Sequence, residues 1–176
     1  MRFFISMATA LLIAGTCFAT PPSAEVKTKV DKMIAAMSNL STDATVVSEV
    51  KAYNAAPTKD MTQEKWKELT ILSPEVRALT KNKLAVYLKT KQTPEVDEIF
   101  VSGSDGTKVA FLAKTTNWSH AGKPKHDQAM KGKTWIGDVE MDESTGKQSI
   151  QFSIPVLDGS KVIGSIVIGL SVSALK

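Results

Sequence analysis

Residues 134–172 read TWIGDVEMDESTGKQSIQFSIPVLDGSKVIGSIVIGLSV, three short runs of apolar and β-branched side chains separated by turn-forming residues. The runs cover 134–141, 147–156 and 161–172. Asp142-Glu143-Ser144-Thr145-Gly146 separates the first pair and Asp158-Gly159 the second, and breaks of this composition join antiparallel neighbours. In the middle run Gln151 and Ser153 alternate with Ile150, Phe152 and Ile154, so one strand face is apolar and the other polar. The last run contains 163–170, an apolar stretch of strand length interrupted by Gly164, Ser165 and Gly169. It reads as a buried strand, since a helix crossing a bilayer needs roughly 20 apolar residues.

Upstream of this meander, 98–102 and 108–114 flank Gly103-Ser104-Asp105-Gly106 and read as a hairpin, with glycines for the positive dihedrals. The expected sheet is therefore a hairpin, a long insertion over 115–133, and the three-strand meander, all antiparallel. Before residue 95 the period is helical. Val26, Val30, Met33, Ile34 and Met37 share one face, with Lys27, Lys29, Asp31 and Lys32 on the other. Val46, Val47, Val50 and Tyr53 continue or restart that helix after Asn39, Ser41 and Thr42. A short helix from Asp60 or Thr62 turns Trp66 and Leu69 inward. Ser73-Pro74-Glu75 then opens a helix, with Ser73 as cap, which carries Val76, Leu79, Leu84, Tyr87 and Leu88 and stops before Thr93-Pro94.

The N-terminus has the parts of an export signal: Arg2 as the charge, an apolar stretch over 3–14, and small residues around Cys17-Phe18-Ala19. Residues 1–19 are expected to be removed after Ala19, leaving 20–176 as one domain in the periplasm or secreted. Cys17 is the single cysteine. A lipoprotein cut before it is the weaker alternative, because 14–17 lack the usual leucine three residues before the cysteine. The chain left after cleavage at Ala19 has no cysteine and must rely on its core. The formal charge of +4 is spread over many lysines rather than massed in a run, so nucleic acid is not an expected partner.

The segments Ala129-Met130-Lys131-Gly132-Lys133-Thr134-Trp135-Ile136-Gly137, Asp142 to Gly146, Ile150-Gln151-Phe152-Ser153-Ile154-Pro155-Val156, and Gly159 with Val162-Ile163-Gly164 occur in one order. In that order they resemble the single Cache domains, the PAS-like extracytoplasmic sensor modules of bacterial receptors. The likeness covers roughly 26–175. It implies an α+β fold, a five-stranded antiparallel sheet with a long N-terminal helical segment on one face. On the other face it implies a pocket closed by the insertion, binding a small metabolite such as an amino acid or carboxylate. Receptors with this module continue into a membrane helix and an output domain, whereas this chain ends at Lys176. The expectation is a free-standing sensor for signal transduction that acts through a partner, a membrane receptor or a second copy of itself. The rival reading is a protein–protein interaction module with a vestigial pocket. The arginine and aromatic pairs of many members are replaced by Lys123, Lys125 and His126.

The insertion gathers Trp118, His120, Lys123, Lys125, His126, Asp127 and Lys131. Loops of this length are usually functional or disordered. Trp118 and Trp135 are candidate apolar walls of a pocket, with core packing as their ordinary role. Lys125 and Lys131, with His120 and His126, are candidates to hold a carboxylate by charge-assisted hydrogen bonds. Asp138, Gln151 and Ser153 form the facing polar set, with Asp138 suited to an ammonium group. A metal on His120, His126 and Asp127 is disfavoured by their spacing, and 138–143 fails as a calcium loop because Glu143 stands where the glycine is needed. Without a nucleophile elbow, phosphate loop or oxyanion site, no catalysis and no cofactor is expected.

Overall fold

The computed structural model describes residues 19–142 and 147–175. The export signal, its lipoprotein alternative at Cys17 and most of the turn over 142–146 lie outside the described residues. Ser23 starts α1 (Ala24–Met37) by accepting the Val26 N–H at 3.2 Å. A 3-10 turn over Ser38–Thr42 then breaks the helical segment, and Asp43 starts α2 (Ala44–Ala55) by accepting from the N–H groups of Thr45 and Val46. The apolar stripe that leaves one or two helices open in the sequence is thus two helices. The second oxygen of Asp43 accepts the Tyr87 hydroxyl at 2.5 Å, which ties α2 to α5.

Thr62 caps α3 (Gln63–Glu68). Ser73 occupies the cap position of α4 (Pro74–Lys81), but its hydroxyl accepts the N–H of Thr70 instead of a helix N–H. The helix expected to run on toward Thr93 is divided at Asn82. Asn82 is extended (φ −67°, ψ 169°), its side chain accepts the Ala85 N–H at 2.8 Å to open α5 (Lys83–Lys89), and its amide donates to the Val109 carbonyl at 2.8 Å. Asparagine competes readily with the helix ladder in this way.

The strands are β1 (Val96–Gly103), β2 (Lys108–Phe111), β3 (Trp135–Asp142), β4 (Lys147–Asp158) and β5 (Lys161–Ser171), with α6 (Pro124–Met130) between β2 and β3. Among the described residues they form one antiparallel sheet in the order β2-β1-β5-β4-β3, so the last strand of the chain lies at the centre. This is the α+β arrangement expected, with a five-stranded antiparallel sheet and the N-terminal helical segment on one face. The stretch 163–170 is buried throughout, as its apolar character requires. The close pairing of β1 and β5 needs Gly164, where a Cβ would stand 2.4 Å from the Ser102 carbonyl oxygen.

Each face of the sheet has its own core. Ile99, Val101, Ile150, Phe152, Ile154, Ile166 and Ile168 face Val46, Val50, Leu84 and Leu88 of the helices. Each fully buried side chain of this size stabilises the fold by about 1.5–3 kcal/mol relative to exposure. On the opposite face Phe100, Phe111 and Val167 meet Trp66, Val76 and Trp118. There α6 packs on β3, β4 and β5.

Candidate ligand site between the sheet and the insertion

The side chains of the face under the insertion follow from strand register and period 2. One row across the sheet is Phe111, Phe100, Val167, Ser153 and Trp135. On one side of it lie Lys108, Ser102, Ser165 and Pro155, and on the other Glu98, Gly169 and Gln151. A central apolar row therefore separates a basic group from an acidic one.

The first part of the insertion, 115–120, is held over this face from two sides, by α3 and by the hairpin. Trp66 Nε1 donates to the Thr115 carbonyl at 2.7 Å, and Gln63 of the same helix donates to Thr116 O at 3.0 Å and accepts the Trp118 N–H at 2.8 Å. At the hairpin, the His120 N–H donates to Gly106 O at 2.9 Å, and Thr107 bridges Ser119. Trp118, its ring centroid 5.2 Å from that of Trp66 and tilted 44° to it, is buried in the second core and lines a cavity of ≈ 210 Å³ with Met61 and Leu79.

At the basic end Lys108 has no exposed surface. Its Nζ lies 3.6 Å from the Phe100 ring centroid and is hydrogen-bonded to His120 Nδ1, while the His120 ring stacks on Phe100 at 4.7 Å. Among the described residues no carboxylate forms an ion pair with it. Burial holds the Lys108 ammonium well below the ordinary lysine range, with Glu98 opposing at longer range. His120 is pushed down to about 3, chiefly by burial and then by the Lys108 charge, so the imidazole is neutral. His126 is also lowered by burial, and its Nδ1 meets Ser165 Oγ at 2.8 Å. On the same face Ser102 Oγ and Ser153 Oγ are buried with no hydrogen-bond partner among the described residues. Buried hydroxyls normally find one, so these two are exceptions that need a reason.

At the acidic end Gln151 Nε2 donates to Glu98 Oε2 at 2.7 Å, and Gln151 Oε1 accepts from Lys125 Nζ of α6. Burial raises Glu98, against the charges of Lys125 and Lys108. Burial lowers Lys125, against Glu98 and Glu140.

The sequence candidates separate accordingly. Trp118, His120, Lys125, Gln151 and Ser153 lie under or within the insertion, with Trp135 half-buried at the edge of the central row. Lys131 and Asp138 do not join them. Lys131 is exposed because Gly132, at φ +75°, turns the chain away after α6. Asp138 is exposed because the β3–β4 register shifts between Ile136 and Val139, which breaks the alternation on which its placement rested. Nor is Lys125 free for a carboxylate, being bonded at the acidic end. The groups that take these places are Lys108 and Glu98, with Ser102 and Ser165, none of them singled out from the sequence. Glu98 shares its parity with Phe100 and Ser102, which was a usable signal. Lys108, at the start of a strand after a turn, looks like an ordinary edge lysine. Among the described residues no group of three or more His, Cys, Asp or Glu side chains gathers as a metal site.

No protein-family model and no curated protein matches the chain. Among solved structures it is similar to the sensor domain of the V. cholerae histidine kinase DctB, with 12% identity, a TM-score of 0.47, and 86% of this chain and 55% of that one covered. It is similar to the ligand-binding domain of the Pseudomonas aeruginosa amino acid chemoreceptor PctC in complex with GABA, with 10% identity, a TM-score of 0.48, and 86% and 57% covered. It is also similar to the E. coli DcuS sensor domain, with 14% identity, a TM-score of 0.47, and 87% and 96% covered. The chain thus spans little more than half the length of the first two. No site residue is carried over from any of them.

Proposed function

We propose that this chain is a small-molecule-binding sensor module, not an enzyme, whose ligand lies between the sheet and the insertion and carries a carboxylate, as an amino acid or short organic acid does. The observation that carries the reading is Lys108. A fully buried ammonium without an ion-pair partner is costly, and a ligand carboxylate beside it would offset that cost through charge-assisted hydrogen bonds. The unpartnered hydroxyls of Ser102 and Ser153 supply further donors on the same face. The remaining walls, Phe100, Phe111, Val167 and Trp118, are apolar, the usual composition of a ligand site.

The same proposal has the chain exported, with residues 1–19 removed, and signalling through a membrane receptor or a second copy. Adjacent Ile71 and Leu72, 71% and 73% exposed, favour a second reading in which a protein surface is the main ligand.

Thermal-shift screening of amino acids, organic acids, amines and sugars tests the choice. A ligand at about 100 times its dissociation constant stabilises by roughly 2.7 kcal/mol, a rise of several degrees in melting temperature. Carboxylate-bearing compounds should raise it, and Lys108→Met should lose that response while melting no lower unliganded, since replacing a buried charge by a hydrophobic side chain is often neutral or stabilising. A screen in which only sugars act, or in which Lys108→Met responds normally, overturns the carboxylate reading. No response to any compound favours the protein-surface reading.

A further inference from the structure

The acidic end of the site is closed by a side chain of the insertion itself. Glu98 and Gln151 stand on strands that flank β5 and meet across it because residue 169 is glycine. A Cβ there would lie 3.1 Å from Glu98 Cβ and 3.8 Å from Gln151 Cγ. The pair presents a carboxylate and an amide oxygen toward α6. Lys125 reaches down from the first turn of that helix, and its ammonium bonds to Gln151 Oε1. It forms no direct ion pair with Glu98 among the described residues, so the attraction between them is relayed by the amide. Three more charges act on the group: Glu140 on β3 and Lys123 before α6, both exposed and so screened, and the buried Lys108, which acts on Glu98.

We propose that Lys125 is a tethered occupant of an ammonium subsite formed by Glu98 and Gln151, and that the ligand is a primary ammonium compound whose arrival displaces Lys125 and frees α6. The proposal rests on the binding reading above and narrows it, from any small carboxylate to an amino acid or related amine. Glu98 is half-buried and needs a cation or a proton close by. Lys125 supplies the cation in the unliganded chain, and an incoming ammonium group replaces like with like, so the exchange is close to balanced. The ligand shifts α6 because it binds only the state from which Lys125 has left the subsite, and only such a difference in affinity moves a two-state element. An organic acid without an amine would be repelled by Glu98 and would leave Lys125 in place. The released ammonium returns to water, and α6 loses one of its anchors on β4.

Alanine, propionate and ethylammonium serve as probes, separating the two charged groups. In the unaltered protein, acetylation of lysines by an activated ester, read by peptide mass spectrometry as Lys125 relative to the exposed Lys131 in the same sample because the amine probes also consume the ester, should rise several-fold at Lys125 with alanine or ethylammonium and stay unchanged with propionate. The Lys125→Met variant should bind ethylammonium about tenfold more tightly than the parent, since the internal competitor is gone. Should that variant fail to fold, labelling of the unaltered protein decides alone. Labelling that falls at Lys125 under saturating alanine overturns the proposal, as does equal ethylammonium affinity in variant and parent. Stabilisation by propionate alone also overturns it while leaving the carboxylate reading standing, whereas silence of the entire compound screen removes both.

Discussion

Lys108 and His120 show what burying ionisable side chains on a sheet face does to stability. Both are buried against Phe100, and neither can be charged in place without loss. The consequence is a pH dependence with a definite sign. The folded His120 titrates at about 3, against about 6.5 in the unfolded chain. Between those values the unfolded state binds a proton that the folded state does not, so stability is full above pH 6.5 and is lost as pH falls. His126, lowered by burial, acts in the same direction, as does Lys108 at higher pH. Glu98 acts oppositely: its raised folded pKa means that the folded state holds a proton the unfolded chain has released, which adds stability as pH falls. Two histidines and a lysine outweigh one carboxylate. Urea denaturation should therefore give a stability lower by about 2 kcal/mol at pH 5 than at pH 7.5, and His120→Gln should flatten the profile. A flat profile in the parent protein would show that the histidines are not buried and neutral.

At the scale of elements, the insertion is positioned by two supports from distant parts of the chain, α3 and the β1–β2 hairpin. The hairpin support depends on Gly106, at φ +80°, where a Cβ would come within 2.4 Å of the Ala121 N. Gly159 makes an instructive control. It too has positive φ, at +62°, but nothing lies within 4 Å of its missing Cβ. Gly159→Ala should cost only the left-handed backbone penalty, about 1 kcal/mol. Gly106→Ala adds a clash with backbone and should cost about 2–3 kcal/mol, with faster amide exchange over 119–126 because the His120 N–H loses its place on Gly106 O. Equal costs in the two variants would mean that the hairpin does not hold the insertion.

At the scale of the molecule, both edges of the sheet matter. The N-terminal Thr20 pairs with Val139 on the β3 edge, donating to its carbonyl at 3.0 Å and accepting from its N–H at 2.8 Å. Such pairing shields an edge that would otherwise offer free backbone groups. Cleavage after Ala19 would leave Thr20 as the first residue, and its amino group could still donate to Val139. Among the described residues no helix is long and apolar enough to cross a membrane. Intact mass of the protein from its native compartment should correspond to a chain beginning at Thr20. A mass retaining residues 1–19, or a lipid on Cys17, would overturn the proposed processing.

The sequence by itself determined the helical first half, the antiparallel meander and the hairpin, because these follow from local periodicity and turn chemistry, whereas α6 within the insertion was not read from it. Gln151 and Ser153 could be read as one polar face for the same reason, and 163–170 as a buried strand. The break at Asn82 was not legible, since the helical stripe passes through it and only the bond to Val109 O on β2 fixes its extended backbone. The site was legible only in part. His120, Lys125 and Trp118 lie over the sheet face where the sequence reading put them because the insertion gathers them, whereas a register shift and a helix-ending glycine put Asp138 and Lys131 in solvent. Lys108 acquires its meaning from tertiary structure alone, and Glu98 mostly so, its strand parity giving only its face. A lysine opening a strand is ordinarily solvated, and what removes the water here is the folding of the insertion across the sheet. Glu98 is paired with Gln151 because Gly169 lets the amide reach it across the intervening strand. Local pattern sets which way a side chain points, whereas desolvation depends on which distant segment comes to cover it, and that no window of sequence contains.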